Sequence, residues 1–157
     1  SSIACDKTAM IQELVASVAV VLPPTPCAMP PHYSVHVNPY ARCQVGKEFV
    51  AVFQTHFVAL PRRPAWLLVT TKDSQPVDLS PTGYDGCWLM VDTDPRFLHA
   101  IHPGKSGLLK QEPGRLILRW TPTDVLRGAT FNAQMVWASP ANDRGYLFSP
   151  LLRITVE

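Results

Sequence analysis

Arg115-Leu116-Ile117-Leu118-Arg119-Trp120, then Thr121-Pro122-Thr123-Asp124-Val125-Leu126-Arg127-Gly128, then Ala129-Thr130-Phe131-Asn132-Ala133-Gln134-Met135-Val136-Trp137: this stretch decides the fold. In its first run Leu116, Leu118 and Trp120 fall on one side and Arg115, Ile117 and Arg119 on the other. That period of two is the mark of a half-buried strand. The last run alternates too. Ala129, Phe131, Ala133, Met135 and Trp137 share one face; Thr130, Asn132 and Gln134 share the other. Pro122 and Gly128 bracket the connection, where a missing N–H or a positive φ is tolerated. The reading is two antiparallel strands that place large side chains in one core.

The flanking sequence repeats the theme. Tyr33-Ser34-Val35-His36-Val37 alternates, and Asn38-Pro39-Tyr40 turns. Gly46 precedes the longest strand candidate, residues 47–60, with Phe49, Ala51, Phe53, Thr55 and Phe57 on one face. Pro61-Arg62-Arg63-Pro64 turns into a strand at 65–71. Residues 72–86 read as a polar loop, and Cys87-Trp88-Leu89-Met90-Val91 as a strand. Residues 92–114 hold Pro95, Pro103, Gly104, Gly107, Pro113 and Gly114. They read as a long connection with little regular structure, open to early proteolysis. The last strand runs from about Gly145 to Val156, and Pro150 puts its beginning at a sheet edge. Residues 1–26 form an N-terminal extension packing on the domain, at most one short helix followed by a strand to Leu22; Pro23-Pro24-Thr25-Pro26 ends it stiffly. Residues 27–157 then form one all-β domain, an antiparallel two-sheet sandwich of seven to eight strands.

The 157-residue chain is long enough for one sizeable core. Hydrophobic residues at 46% against charged residues at 17% exclude a disordered chain. Sixteen prolines between short apolar runs suit a turn-rich β domain. A net charge of +2 is too mild to argue for nucleic acid. The apolar run from Leu14 to Leu22 is too short to span a bilayer, so no membrane insertion of this segment is expected. The chain opens on Ser1 rather than Met, as a mature form or fragment does. Asn38, Asn132 and Asn142 all fail the N-glycosylation pattern. Cys5, Cys27, Cys43 and Cys87 contain no Cys-x-x-Cys pair. Their even number favours two disulfides and an oxidising compartment, with three connectivities open, and the alternative is four buried free thiols in a cytosolic protein.

Sites for chemistry are few. His32 and His36 are four apart, His99 and His102 three apart, and His56 stands alone. Zinc needs three or four converging ligands, and the bland reading of loop histidines wins, so no metal and no cofactor are expected. Asp92 and Asp94 are paired carboxylates, but aspartates before a proline commonly build turns. Without a Gly-x-Ser-x-Gly elbow or a phosphate loop, no enzyme is expected. Trp66, Trp88, Trp120 and Trp137 read chiefly as core residues. Trp137 is the best candidate for an exposed aromatic contact, since it ends its strand beside Ser139-Pro140-Ala141-Asn142-Asp143. The candidate binding residues are Trp137, Asn142, Asp143, Arg62 and Arg63.

Several segments together resemble the reeler domain, the module at the start of reelin and spondins and in arthropod defence proteins. They are Cys27 with Met29, Pro31 and His32; Tyr40 through Gly46 into Phe49-Val50-Ala51-Val52; and Cys87, followed by His99 or His102. Next come Leu116-Ile117-Leu118-Arg119-Trp120-Thr121-Pro122, then Gly128-Ala129-Thr130-Phe131-Asn132-Ala133 and an aromatic at Tyr146 or Phe148. The likeness spans about residues 27–156. It implies an immunoglobulin-like sandwich in a secreted or surface protein and carries over no catalytic residues. It also implies a Cys27–Cys87 bridge, which leaves Cys5 and Cys43 for each other. The expected function is a secreted or cell-surface, non-catalytic binding module in adhesion, matrix contact or host defence. Its ligand would be a protein or glycan held by loops at the sandwich ends. The alternatives are an assembly domain of a larger surface complex or, behind it, a metal-binding or enzymatic domain.

Overall fold

The computed structural model describes residues 17–24, 33–36, 42–55, 64–82, 87–104, 107–112, 115–138 and 146–157. These hold eleven strands: β1 (Val18–Val21), β2 (Tyr33–His36), β3 (Phe49–Thr55), β4 (Ala65–Thr70), β5 (Val77–Asp78), β6 (Trp88–Leu89), β7 (Leu98–Ile101), β8 (Leu109–Glu112), β9 (Arg115–Trp120), β10 (Thr130–Ala138) and β11 (Tyr146–Thr155). One sheet has the order β1-β11-β10-β4-β7 and the other β2-β3-β9-β8; β5 and β6 form a separate ribbon. All pairings are antiparallel. The fold is the all-β sandwich that the alternating runs indicate.

The alternation decides which side chains meet. On β3, Phe49, Ala51 and Phe53 point inward and are buried, while Val50, Val52 and Gln54 are half-buried. β9 runs beside β3 with Phe49 opposite Trp120 and Phe53 opposite Leu116. From the facing sheet Leu67, Ala133, Met135, Trp137, Leu152 and Ile154 complete one apolar core. Removing such side chains from water supplies the main driving force for the fold, about 25 cal/mol per Å² of apolar surface.

Two expectations change. Residues 92–114 are not a structureless connection: they carry β7 and β8, edge strands of the two sheets. Each needs few inward side chains because it has one neighbour. β7 pairs Ile101 with Leu67, and β8 pairs Leu109 with Leu118. A four-residue alternation among prolines and glycines leaves little pattern to read. With β5, these short edges raise the strand count above seven to eight. The helix suggested within residues 1–16 lies outside the described residues; the strand after it is present as β1, the edge beside β11.

The polar face of β10 is buried at Asn132 and Gln134. Residues 88–91 and the half-buried Leu68 and Leu98 form a smaller apolar cluster with Leu151 on the outer side of the larger sheet. Gln134, fully buried, anchors that cover: its Oε1 accepts from the Met90 N–H at 2.9 Å, and its Nε2 donates to the Trp88 and Ser149 carbonyls at 2.8 Å each. Ser149-Pro150 forms a bulge opposite Met135, where the register between β10 and β11 shifts. The proline lacks an N–H, and the Ser149 hydroxyl accepts from the Met135 N–H at 2.8 Å. As expected of Pro150, the start of β11 has no β1 neighbour; β1 pairs only with Leu151–Ile154.

Candidate functional site

The sandwich has two ends with different construction. At one end β3 begins, β9 stops and β10 begins. Trp120 at the end of β9 meets Phe131 at the start of β10 edge-on, with ring centroids 5.3 Å apart. Backbone bonds stitch this end together: Val45 N–H to Glu157 O, Gly46 N–H to Pro122 O, Gly128 N–H to Val156 O and Glu157 N–H to Cys43 O, all 2.7–3.0 Å. Gly46 and Gly128 have φ of 77° and 84°, the left-handed region in which glycine meets no Cβ penalty. Ser17 adds a side-chain tie, its Oγ accepting from the Cys43 N–H at 2.8 Å and donating to the Thr155 carbonyl. At the opposite end, Ala65 at the start of β4 pairs with Trp137, and Tyr146 at the start of β11 pairs with Ala138.

Inside the stitched end lies a cavity of about 270 Å³. Its floor is Leu67, Leu118, Ala133 and Ile154, all buried and drawn from both sheets. Its rim is Val69, Ile101, Leu108, Trp120, Leu126 and Phe131, all half-buried. Every lining side chain is apolar. The cavity has a positional origin: Ala133 is small, yet it faces the core between Phe131 and Met135. Ile101 and Leu108 belong to the β7–β8 side, where each sheet ends in a short edge strand. Leu126 hangs from the short 3-10 turn Asp124–Leu126 between β9 and β10.

Trp137 is not an exposed contact. It is 2% exposed and sits in the main core with Met135 and Ala133 on the inward face of β10. The alternation that made it a strand residue also turned it inward. Trp66, Trp88 and Trp120 are half-buried. Arg62, Arg63, Asn142 and Asp143 lie outside the described residues, as do His32 and His56. His99 and His102 are exposed on and after β7; the His102 ring stands 6.3 Å from that of Trp66. No three His, Cys, Asp or Glu side chains converge as metal ligands among the described residues. Asp92 and Asp94 each build a turn: Asp92 Oδ1 accepts from the Asp94 N–H at 2.7 Å, and Asp94 Oδ1 from the Arg96 N–H at 3.0 Å. The Arg96 guanidinium also chelates the Asp94 carboxylate and holds it below the ordinary range.

The cysteines divide. Cys43 is a free, fully buried thiol, so it does not form the expected bridge with Cys5. The reason is its position: its amide and carbonyl are tied to Ser17 and Glu157, which holds the side chain in the main core. Burial, then the nearby Glu157 carboxylate, push its thiol up to about 11. Cys87 is buried. Cys5 and Cys27 lie outside the described residues.

No helix among the described residues is long and apolar enough to cross a membrane. No protein-family model, curated protein or solved structure matches the chain.

Proposed function

We propose that the chain is a non-catalytic binding module of a secreted or cell-surface protein, an immunoglobulin-like sandwich that holds its ligand through loops at one end. One observation carries this reading. At the end opposite the stitched one β3 and β10 stop and β4 and β11 start, so the β3–β4 and β10–β11 connections leave from it and return to it. In chain position these connections contain Arg62 with Arg63, and Asn142 with Asp143. Strand order supports the family of architecture: β2-β3-β9-β8 against β11-β10-β4-β7 follows the ABED and GFC sheets of the immunoglobulin fold, with β7 in the place of C′. On that scheme the two connections correspond to the B–C and F–G loops, which variable domains use for binding. A bridge at Cys87, which the reeler resemblance implies, would fit an oxidising compartment.

The test is saturable binding of the purified, disulfide-intact chain to intact cells, before and after protease or glycosidase treatment of their surface. Binding is expected to fall at least tenfold in a variant with Arg62, Arg63, Asn142 and Asp143 all replaced by Ala. Binding that never saturates, or is indifferent to those four changes, overturns the reading.

A further inference from the structure

We infer that the cavity at the stitched end is a separate ligand site for one free, medium-length hydrocarbon chain of about ten carbon atoms, its polar end left at the mouth. An apolar cavity of about 150 Å³ admits benzene, so 270 Å³ scales to roughly ten carbons. Chemistry restricts the occupant as strongly as size. A water placed inside would lack the two to four polar partners it needs, and a buried polar ligand atom would lack them equally. The lining therefore selects hydrocarbon.

The form of the site points to a chain entering end-on. Floor residues are buried and rim residues half-buried, so the space deepens from an apolar, solvent-facing mouth to a closed base. Its walls are the inner faces of two sheets, which stand about 10 Å apart and leave a slot once a residue as small as Ala133 faces the gap. After β7 the Gly104 N–H donates to Leu109 O at the start of β8 at 3.1 Å. That bond ties the two edge strands beside the mouth to each other. The backbone ties at this end keep the slot formed before a ligand arrives, which lowers the ordering cost of binding.

The experiment titrates the intact chain with hexanol, octanol, decanol and tetradecanol, followed by methyl NMR and calorimetry. One-to-one binding is expected, with shifts at Leu67, Val69, Ile101, Leu118 and Ile154. Each added methylene should tighten binding about fourfold, from roughly 0.8 kcal/mol per buried CH₂, up to about ten carbons and no further. Ala133→Leu, which fills the floor, should weaken decanol at least tenfold. If that variant fails to melt cooperatively, Leu126→Trp, which crowds the mouth from the turn, serves instead. The four-residue loop variant should bind decanol unchanged, so failure here and failure of the surface-binding reading are distinguishable. Absence of saturable binding, affinity that keeps rising to tetradecanol, or indifference to the cavity variants overturns the site. Sedimentation with phosphatidylcholine vesicles should carry down no protein. Co-sedimentation that the cavity variant abolishes would assign the chain to a membrane lipid and overturn a free ligand.

Discussion

Replacing Gln134 by Leu should destabilise the protein by about 4 kcal/mol, although the volume hardly changes. Gln134 is fully buried, and its three hydrogen bonds join β10 to Met90, Trp88 and Ser149. Leu keeps the packing and removes every bond. The buried Met90 N–H then loses its acceptor, at about 1–3 kcal/mol; each of the two carbonyl bonds contributes a further ~0.5–1.5 kcal/mol. In a chain this long, a loss near 4 kcal/mol lowers the melting temperature by roughly 8–16 °C. Urea denaturation with a slope near 2 kcal/mol/M should show the midpoint fall by about 2 M. Hydrogen exchange localises the effect: the Met90 amide should lose its protection in the variant, while Leu67 and Leu118 keep theirs relative to global unfolding. A Gln134→Leu protein within about 0.5 kcal/mol of the parent, or a Met90 amide that exchanges as before, would refute the reasoning, since the outer cover would then be held by apolar contact alone.

Two further outcomes are expected. The Cys43 thiol has a folded-state pKa near 11, above its ordinary value, so the folded protein holds that proton more tightly than the unfolded chain. Its contribution is complete below the ordinary thiol range and is lost as pH rises from about 8.5 towards 11; Cys43→Ala should remove that part of the alkaline loss, and iodoacetamide at pH 8 should label Cys43 only in denaturant. Trp137→Ala should cost about 3–5 kcal/mol, as large-to-small core changes do, and leave the cell-binding affinity of the folded fraction unchanged; a selective loss of binding without loss of stability would return Trp137 to the surface.

How much of this the sequence displayed depends on how many neighbours each strand has. β3, β4, β9 and β10 are sheet interiors over most of their length, and β11 is one over Leu151–Ile154, so their inward residues there must be apolar at every second position. Phe49-Ala51-Phe53 and Leu116-Leu118-Trp120 show that requirement openly. β7 and β8 have one neighbour each, and the few inward residues of Leu98–Ile101 and Leu109–Glu112 are too few to establish a period. The role of Gln134 is hidden in the sequence for a different reason. A polar residue on the outward face of a strand ordinarily means solvent, and only the tertiary cover supplied by residues 88–91 makes it a buried anchor. Trp137 and Ala133 lie on one face of one strand, but the alternation could not tell that the small residue would leave a cavity while the large one filled the core. Cavities belong to pairs of surfaces, and the pattern along one strand describes one surface.

The two proposed sites sit at opposite ends of the same strands, and this separation has an energetic consequence. From Ala133 at the cavity floor to Ala138 at the far end of β10 is five residues, about 17 Å at the rise of a strand. Perturbations more than 7–10 Å apart with no shared partner add nearly independently. The intervening segment is also firmly anchored: Met135 is bonded to Ser149, Gln134 to three backbone groups, and both neighbours of β10 pair with it across this region. A strand fixed in the middle transmits little displacement from one end to the other. Coupling between the ends would need an element with two arrangements, and β10 is held in one by the same buried amide whose loss the Leu variant measures.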